Sequence, residues 1–139
     1  MTESSQKSVG IIGVKAVALP IIDAARAENF YGEVLGFQLA MMFGPRAIMS
    51  NGQVILALTP PPDPGQAIPE DRFNENRVGL DHISFGVANR AALDEASELF
   101  DAKGVSHGEV NDLGPDLGIY VLAFRDPDNI QLELTAPRS

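Results

Sequence analysis

The chain carries the same succession of strand and helix signals twice, and this internal duplication constrains its fold more than anything else in the sequence. From Gly13 to Ile22 the residues GVKAVALPII alternate, with Val17, Leu19 and Ile21 on one side and Ala16, Ala18 and Pro20 on the other. That is the period of a strand. Asp23 stands at a helix N-cap position, Ala24, Ala27, Tyr31 and Leu35 follow on one helical stripe, and Gly36 closes it. Three strand-like runs come next, FQLAMMF, RAIMS and QVILALT, the last two joined by Asn51-Gly52, a tight-hairpin signal. After a proline-rich stretch the order returns: GLDHISFGV as a strand, Asn89 as a cap, and Leu93, Ala96, Leu99 and Phe100 at helical spacing up to Gly104. VSHGEVN, GIYVLAF and IQLEL complete the second unit, with Asp126-Pro127-Asp128-Asn129 as its last turn.

Position arithmetic supports the duplication. Asp23 and Asn89 lie 66 positions apart, as do Ala16 and His82. Gly52 and Asp128 lie 76 apart, as do Ala57 and Glu133. The expected organisation is one domain of α+β class: a polar, disordered tail over 1–9, a first βαβββ module over 10–59, a linker over 60–78 and a second module over 79–136. The linker holds five prolines between residues 60 and 77 and shows no periodicity. It is read as a connector, with enough length to cover a pocket.

Composition narrows the function. The formal charge is −9, from 10 basic and 19 acidic residues, which argues against a nucleic-acid partner because phosphate binding needs a basic face. The excess acid favours a cationic over an anionic ligand and also serves solubility. No apolar run reaches the length of a membrane span, and MTESSQKSV lacks the features of a signal peptide, so a cytoplasmic location is expected. Cysteine is absent, which removes disulfides, thiolate metal sites and cysteine nucleophiles. No GxGxxG, P-loop or GxSxG motif occurs either.

VALPIIDAARAENFYGEVLGF, GLDHISFGV followed by a helix and AKGV, and the closing hairpin FRDPDNIQLEL together resemble the vicinal oxygen chelate superfamily, the group of glyoxalases, bleomycin-resistance proteins and dioxygenases. The resemblance runs from about Gly13 to Ala136 and implies paired βαβββ modules whose mixed sheet curls into a cup flanked by helices, in a homodimer. It also implies a divalent metal, Fe, Mn, Ni or Zn, held by His on the first strand and Glu on the fourth strand of each module. His82 and Glu133 match the second-module His and Glu. Ala16 and Ala57 stand where the first-module ligands belong, so half of the expected donor set is missing.

Two protein ligands are thin support for a catalytic metal, which typically has three plus water. His107 is the only other histidine and the one candidate for a third ligand, although a strand histidine is more often merely structural. The reading that follows is a protein that binds a small organic molecule in its cup without a metal centre of the usual kind, with His82 and Glu133 as candidate catalytic residues. The alternative is a metal-dependent lyase, isomerase or extradiol-type dioxygenase using the same pair. Ala16, Ala57, Met41, Phe43, Met49, Tyr120 and Phe124 are the candidate ligand-binding residues, Met41, Phe43 and Met49 as a soft apolar lining. Tyr120 and Phe124 are placed on a strand that is apolar on both sides. Arg125 is read as a brace for its turn.

Overall fold

A computed structural model describes residues 8–138. Residues 1–7 of the expected tail lie outside this range. The element order is β1 (Val17–Pro20), α1 (Ala24–Asn29), β2 (Gln38–Phe43), β3 (Arg46–Ser50), β4 (Ile55–Thr59), β5 (Ile83–Gly86), α2 (Arg90–Lys103), β6 (Asn111–Asp112), α3 (Gly114–Leu117), β7 (Ile119–Arg125) and β8 (Gln131–Pro137). These strands form two four-stranded mixed sheets, ordered β1-β4-β3-β2 and β5-β8-β7-β6.

The two sheets share one register. In the first, Val17 pairs with Leu56 and Ala18 with Ala57. In the second, Ile83 pairs with Leu132 and Ser84 with Glu133. Every such pair maps onto its counterpart by adding 66 on the first strand and 76 on the fourth, the offsets counted from the sequence. What holds this register is the alternation of side chains. Leu19, Leu56 and Leu58 in one sheet, and Leu122, Leu132 and Leu134 in the other, are buried on the helix-covered face. A one-residue slip would turn each whole row to the open face. Burying a leucine fully is worth about 1.5–3 kcal/mol, so the correct register wins by a wide margin.

Helix α2 follows its sequence signals closely. The Asn89 side chain accepts from the Ala92 amide at 3.0 Å. At the other end Gly104 takes a left-handed conformation, φ 70°, while the Val105 amide reaches Phe100 and the Gly104 amide reaches Asp101. This paired closure satisfies carbonyls that a helix end leaves open. Helix α1 departs from its expected stripe. Asp23 caps it through the Arg26 amide, but after Asn29 the chain widens into a π-helical turn over Phe30–Val34. This turn carries Phe30 and Tyr31, and both are buried in the core. Ala24 is left exposed.

The sixth strand is shorter than expected. VSHGEVN makes a single bridge, His107 to Phe124, and regular pairing resumes only at Asn111–Asp112. Val105 and Val110 both pack against the core although their positions differ by an odd number, five, which a period-two strand cannot achieve without a break. Helix α3 fills the stretch before β7, where no element is expected from the sequence.

The modules share one core. Phe124 stacks on Phe100 at 4.6 Å between centroids and lies 6.5 Å from Phe30, so the π-helical turn and α2 meet over the second sheet. Tyr31 donates to the buried Asp126 carboxylate at 2.7 Å, and Arg26 pairs with Asp128 at 3.2 Å. The linker is partly ordered: Asp63 caps a 3₁₀ turn at Pro64–Gln66, and the second half is clamped to the β7–β8 turn. There Phe73 exchanges hydrogen bonds with Asp128 and Asn129, and Arg125 forms a bidentate pair with Glu75 at 2.8 and 2.9 Å.

Candidate functional site

Strand parity sorts the residues singled out in the sequence. Directly paired residues share a face, so Ala18 and Ala57 with Ile48 define the open face of the first sheet. Ala16 precedes β1 on the same side. Met41, opposite Ile48, and Phe43, opposite Arg46, belong to this face as well. The open face of the second sheet carries Ser84, Glu133 and Ala123, with Thr135 beside Gly86 and Val121. His82 adjoins this row just before β5.

Four candidates fall on the helix-covered side instead. Met49 is buried in the core opposite Leu56. Phe124 is buried between Phe100 and Phe30, and pairs with Leu132. Tyr120 pairs with the buried Ala136 and lies under the Arg90 guanidinium, 5.1 Å from the ring centroid. None of these three side chains lines the open face. The physical reason is that β7 is apolar on both faces and the run Ala47-Ile48-Met49 in β3 is apolar throughout, so neither gives an alternation to orient these side chains. His107 is the fourth. It bridges to Phe124, lies 5.8 Å from the Phe100 ring, and is bound at both nitrogens: Nε2 to Asp101 at 2.6 Å and Nδ1 to the Gly108 carbonyl at 2.6 Å. This histidine fastens α2 to the neighbouring segment and is no partner to His82. Its hydrogen bond to the Asp101 carboxylate, and then that to Gly108, raise its pKa above the ordinary 6.5.

The structure brings His82 and Glu133 together. His82 Nε2 lies 3.5 Å from Glu133 Oε1, and His82 Nδ1 lies 2.8 Å from Asp81 Oδ1. With a proton on Nδ1 the ring donates to Asp81, and Nε2 is the nitrogen that faces Glu133. Asp81 is held in turn by Gln131 Nε2, at 2.9 Å. The Ser84 and Thr135 hydroxyls each lie 3.3 Å from Glu133 Oε1 and contact one another. The result is a half-exposed row of six polar side chains, with the imidazole oriented by one carboxylate and facing a second. Asp81, Ser84 and Thr135 are absent from the sequence-based site. Ser84 and Thr135 share the parity of Glu133, and that parity is the signal that finds them.

A metal does not fit this donor set in one chain. His82 and Glu133 supply two donors, alanines occupy the two matched positions of the first module, and His107 is committed elsewhere. Among the described residues no three His, Cys, Asp or Glu side chains are grouped to hold an ion. A cavity of about 880 Å³ borders Ala18, Pro20, His82 and Gln131, whereas Ala16, Ala57 and Glu133 do not line it.

Residues 13–134 match the Glyoxalase/Bleomycin resistance protein/Dioxygenase superfamily, and the chain belongs to that family. Among solved structures it is similar to a glyoxylase/bleomycin resistance protein/dioxygenase domain from Frankia sp. EAN1pec, with 27% identity, TM-score 0.73 and coverage of 94% of this chain and 95% of that one. It is also similar to a lactoylglutathione lyase from Agrobacterium tumefaciens, with 25% identity, TM-score 0.70 and coverage of 92% and 96%. The fosfomycin resistance protein FosX from Listeria monocytogenes shares the fold at 20% identity and TM-score 0.68, over 91% of this chain and 93% of that one. The Bacillus subtilis (strain 168) protein YqjT is 33% identical over 70 residues, which are 49% of this chain and 55% of YqjT, so the match spans only about half the length of that relative. Among the described residues no helix is long and apolar enough to cross a membrane.

Proposed function

We propose that this protein binds a small organic molecule against the His82–Glu133 face of its second module, using the pair to hydrogen-bond the ligand or relay a proton, without a metal centre of the usual kind. The supporting observation is the contrast at matched positions. Where the second sheet sets an oriented imidazole 3.5 Å from a carboxylate, the first sheet has two alanines. An imidazole with one nitrogen held by a carboxylate is suited to general acid–base chemistry at the other. The homodimer belongs to the same proposal. Leu39, Met41, Met42 and Phe43 on the edge strand β2 are all at least half exposed, and a second copy that covers them removes an apolar sheet edge from water.

Elemental analysis of protein purified without chelator or histidine tag tests the reading, together with a ligand screen by thermal shift. The expected result is substoichiometric metal and at least one ligand whose stabilisation disappears in His82→Ala and weakens in Glu133→Gln. Near-stoichiometric Fe, Mn, Ni or Zn that is lost in His82→Ala would replace this reading with the metal-dependent lyase, isomerase or dioxygenase alternative.

A further inference from the structure

We infer that the apolar part of the ligand is received not by the open faces of the sheets but by the cavity between the two modules, and that the ligand is a largely apolar, uncharged organic molecule with one hydrogen-bonding end. The inference rests on the small-molecule reading above and gives it a place and a chemical class.

The cavity lies between β1 and β5, each the outer strand of its own sheet, and is roofed by the linker. Its volume of about 880 Å³ falls in the range of small-molecule sites, roughly 300–1,000 Å³. Four large apolar side chains from separate places converge on it: Ile22 after β1, Ile68 in the middle of the linker, and Val78 and Leu80 before β5. Each is more than half exposed. Scattered exposed hydrophobics are ordinary, but four gathered on one concavity mark a surface that excludes water when occupied.

The roof has a defined position. One side is tied to the β7–β8 turn through Phe73, whose amide donates to the Asp128 carbonyl at 2.9 Å, and through Glu75 on Arg125. Between Pro69 and Asp71 the backbone turns through a left-handed Glu70, φ 54°, an uncommon conformation for a residue with a side chain. The linker therefore stands over the gap as a shaped wall, in place of the extended connector its composition suggests.

Charge selects the class of ligand. Asp128 at the cavity is paired with Arg26, and Asp71 with Arg77 at 3.6 Å. Glu70 and Arg72, of opposite sign, add no net charge. The polar exit is His82, which borders the cavity and also faces Glu133. A neutral molecule can lie along the apolar walls and present a hydroxyl, amine or carbonyl to the imidazole, whereas a charge set among Ile22, Ile68, Val78 and Leu80 would give up its water without a compensating partner there.

N-phenyl-1-naphthylamine, an uncharged apolar fluorophore with one N–H, tests this on the full-length protein. Saturable one-to-one binding with enhanced emission is expected. Ile68→Asp and Val78→Asp should each weaken it by about tenfold or more, since they set a carboxylate among apolar walls. Both positions are exposed, so an unchanged melting temperature will show that folding is intact. Ile55→Asp, exposed on the open face of the first sheet beside Ala57, should leave binding unchanged. If Ile55→Asp abolishes binding and the two linker variants do not, the cavity assignment is overturned while the small-molecule reading stands. Binding that appears only on dilution, with Ile68→Asp changing the sedimentation coefficient, would place a second copy in the cavity and equally overturn it. Absence of saturable fluorophore binding also overturns it, and the ligand screen on His82→Ala then judges the wider reading separately.

Discussion

The two modules have one backbone plan and opposite chemistry on their open faces. Ala18 pairs with Ala57 where Ser84 pairs with Glu133. On the covered faces the difference vanishes: Leu56 and Leu132 hold corresponding places and both are fully buried. The contrast shows which residues fix the fold and which are free to specialise. A covered row is bound by register and close packing, so it tolerates little change of volume. An open row touches solvent or ligand and can lose a whole donor set without disturbing the strands beneath it.

The comparison makes its largest prediction in the core. Leu56→Ala and Leu132→Ala should each cost about 2–5 kcal/mol, the usual range for emptying a buried leucine site. Chemical denaturation measures both. If the two modules are equivalent supports of one core, the two losses agree within about 1 kcal/mol and unfolding stays a single transition. Two separate transitions would break the equivalence and show that the modules unfold apart.

That equivalence is legible in the sequence alone, because alternation and spacing are properties of the residues themselves. Val17, Leu19 and Ile21 against Ala16, Ala18 and Pro20 already state which side of β1 is covered. The pairing of His82 with Glu133 was legible for the same reason, since both offsets are fixed by the duplication. What stayed hidden lies where alternation fails. β7 reads IYVLAFR, apolar on both sides, so nothing in it says that Tyr120 and Phe124 turn toward the helices. Met49 suffers the same ambiguity in RAIMS. The linker was hidden for a different reason: its ordering depends on Arg125 and Asn129, which are distant in sequence and have no periodic relation to Phe73 or Glu75.

A second prediction concerns the joint between the modules. Tyr31 belongs to the first and Asp126 to the second, and their hydrogen bond is buried. Burial foremost, and then the adjoining Asp126 charge, push the Tyr31 phenol above its ordinary pKa of 10. Asp126 is likewise raised, mainly by burial, although the bonds from Tyr31 and from the Ile130 and Asp128 amides oppose the shift. Tyr31→Phe removes one of those bonds and should cost about 1–3 kcal/mol at neutral pH. A raised carboxyl binds its proton more tightly in the folded state. Its contribution is therefore present in full below the unfolded pKa near 3.8 and is lost as pH rises through the folded value. The Tyr31 bond opposes that shift by favouring the ionised carboxylate, so the Tyr31→Phe deficit should shrink in acid, where Asp126 is protonated. A deficit independent of pH would show that the phenol serves packing alone.

The smallest expected effect belongs to a feature without a counterpart in the first module. His107 bonds Asp101 and Gly108 through its two nitrogens, an arrangement complete only when both carry protons. Its pKa is raised in the folded chain, chiefly by Asp101. The charged imidazole therefore adds stability that is fully present below about pH 6.5, the ordinary histidine value, and disappears as pH rises through the folded pKa. Asp101 is largely exposed, so water and salt screen the pair and its worth should stay below about 1 kcal/mol. Melting curves of the wild type and His107→Gln should differ most near pH 5.5, converge above neutrality, and approach each other in high salt. A constant gap across that range would mean that His107 acts through its contact with Phe100 instead of its charge. A gain in stability on adding a divalent metal, lost in His107→Gln, would return this residue to the role of ligand and undo the asymmetry between the modules described above.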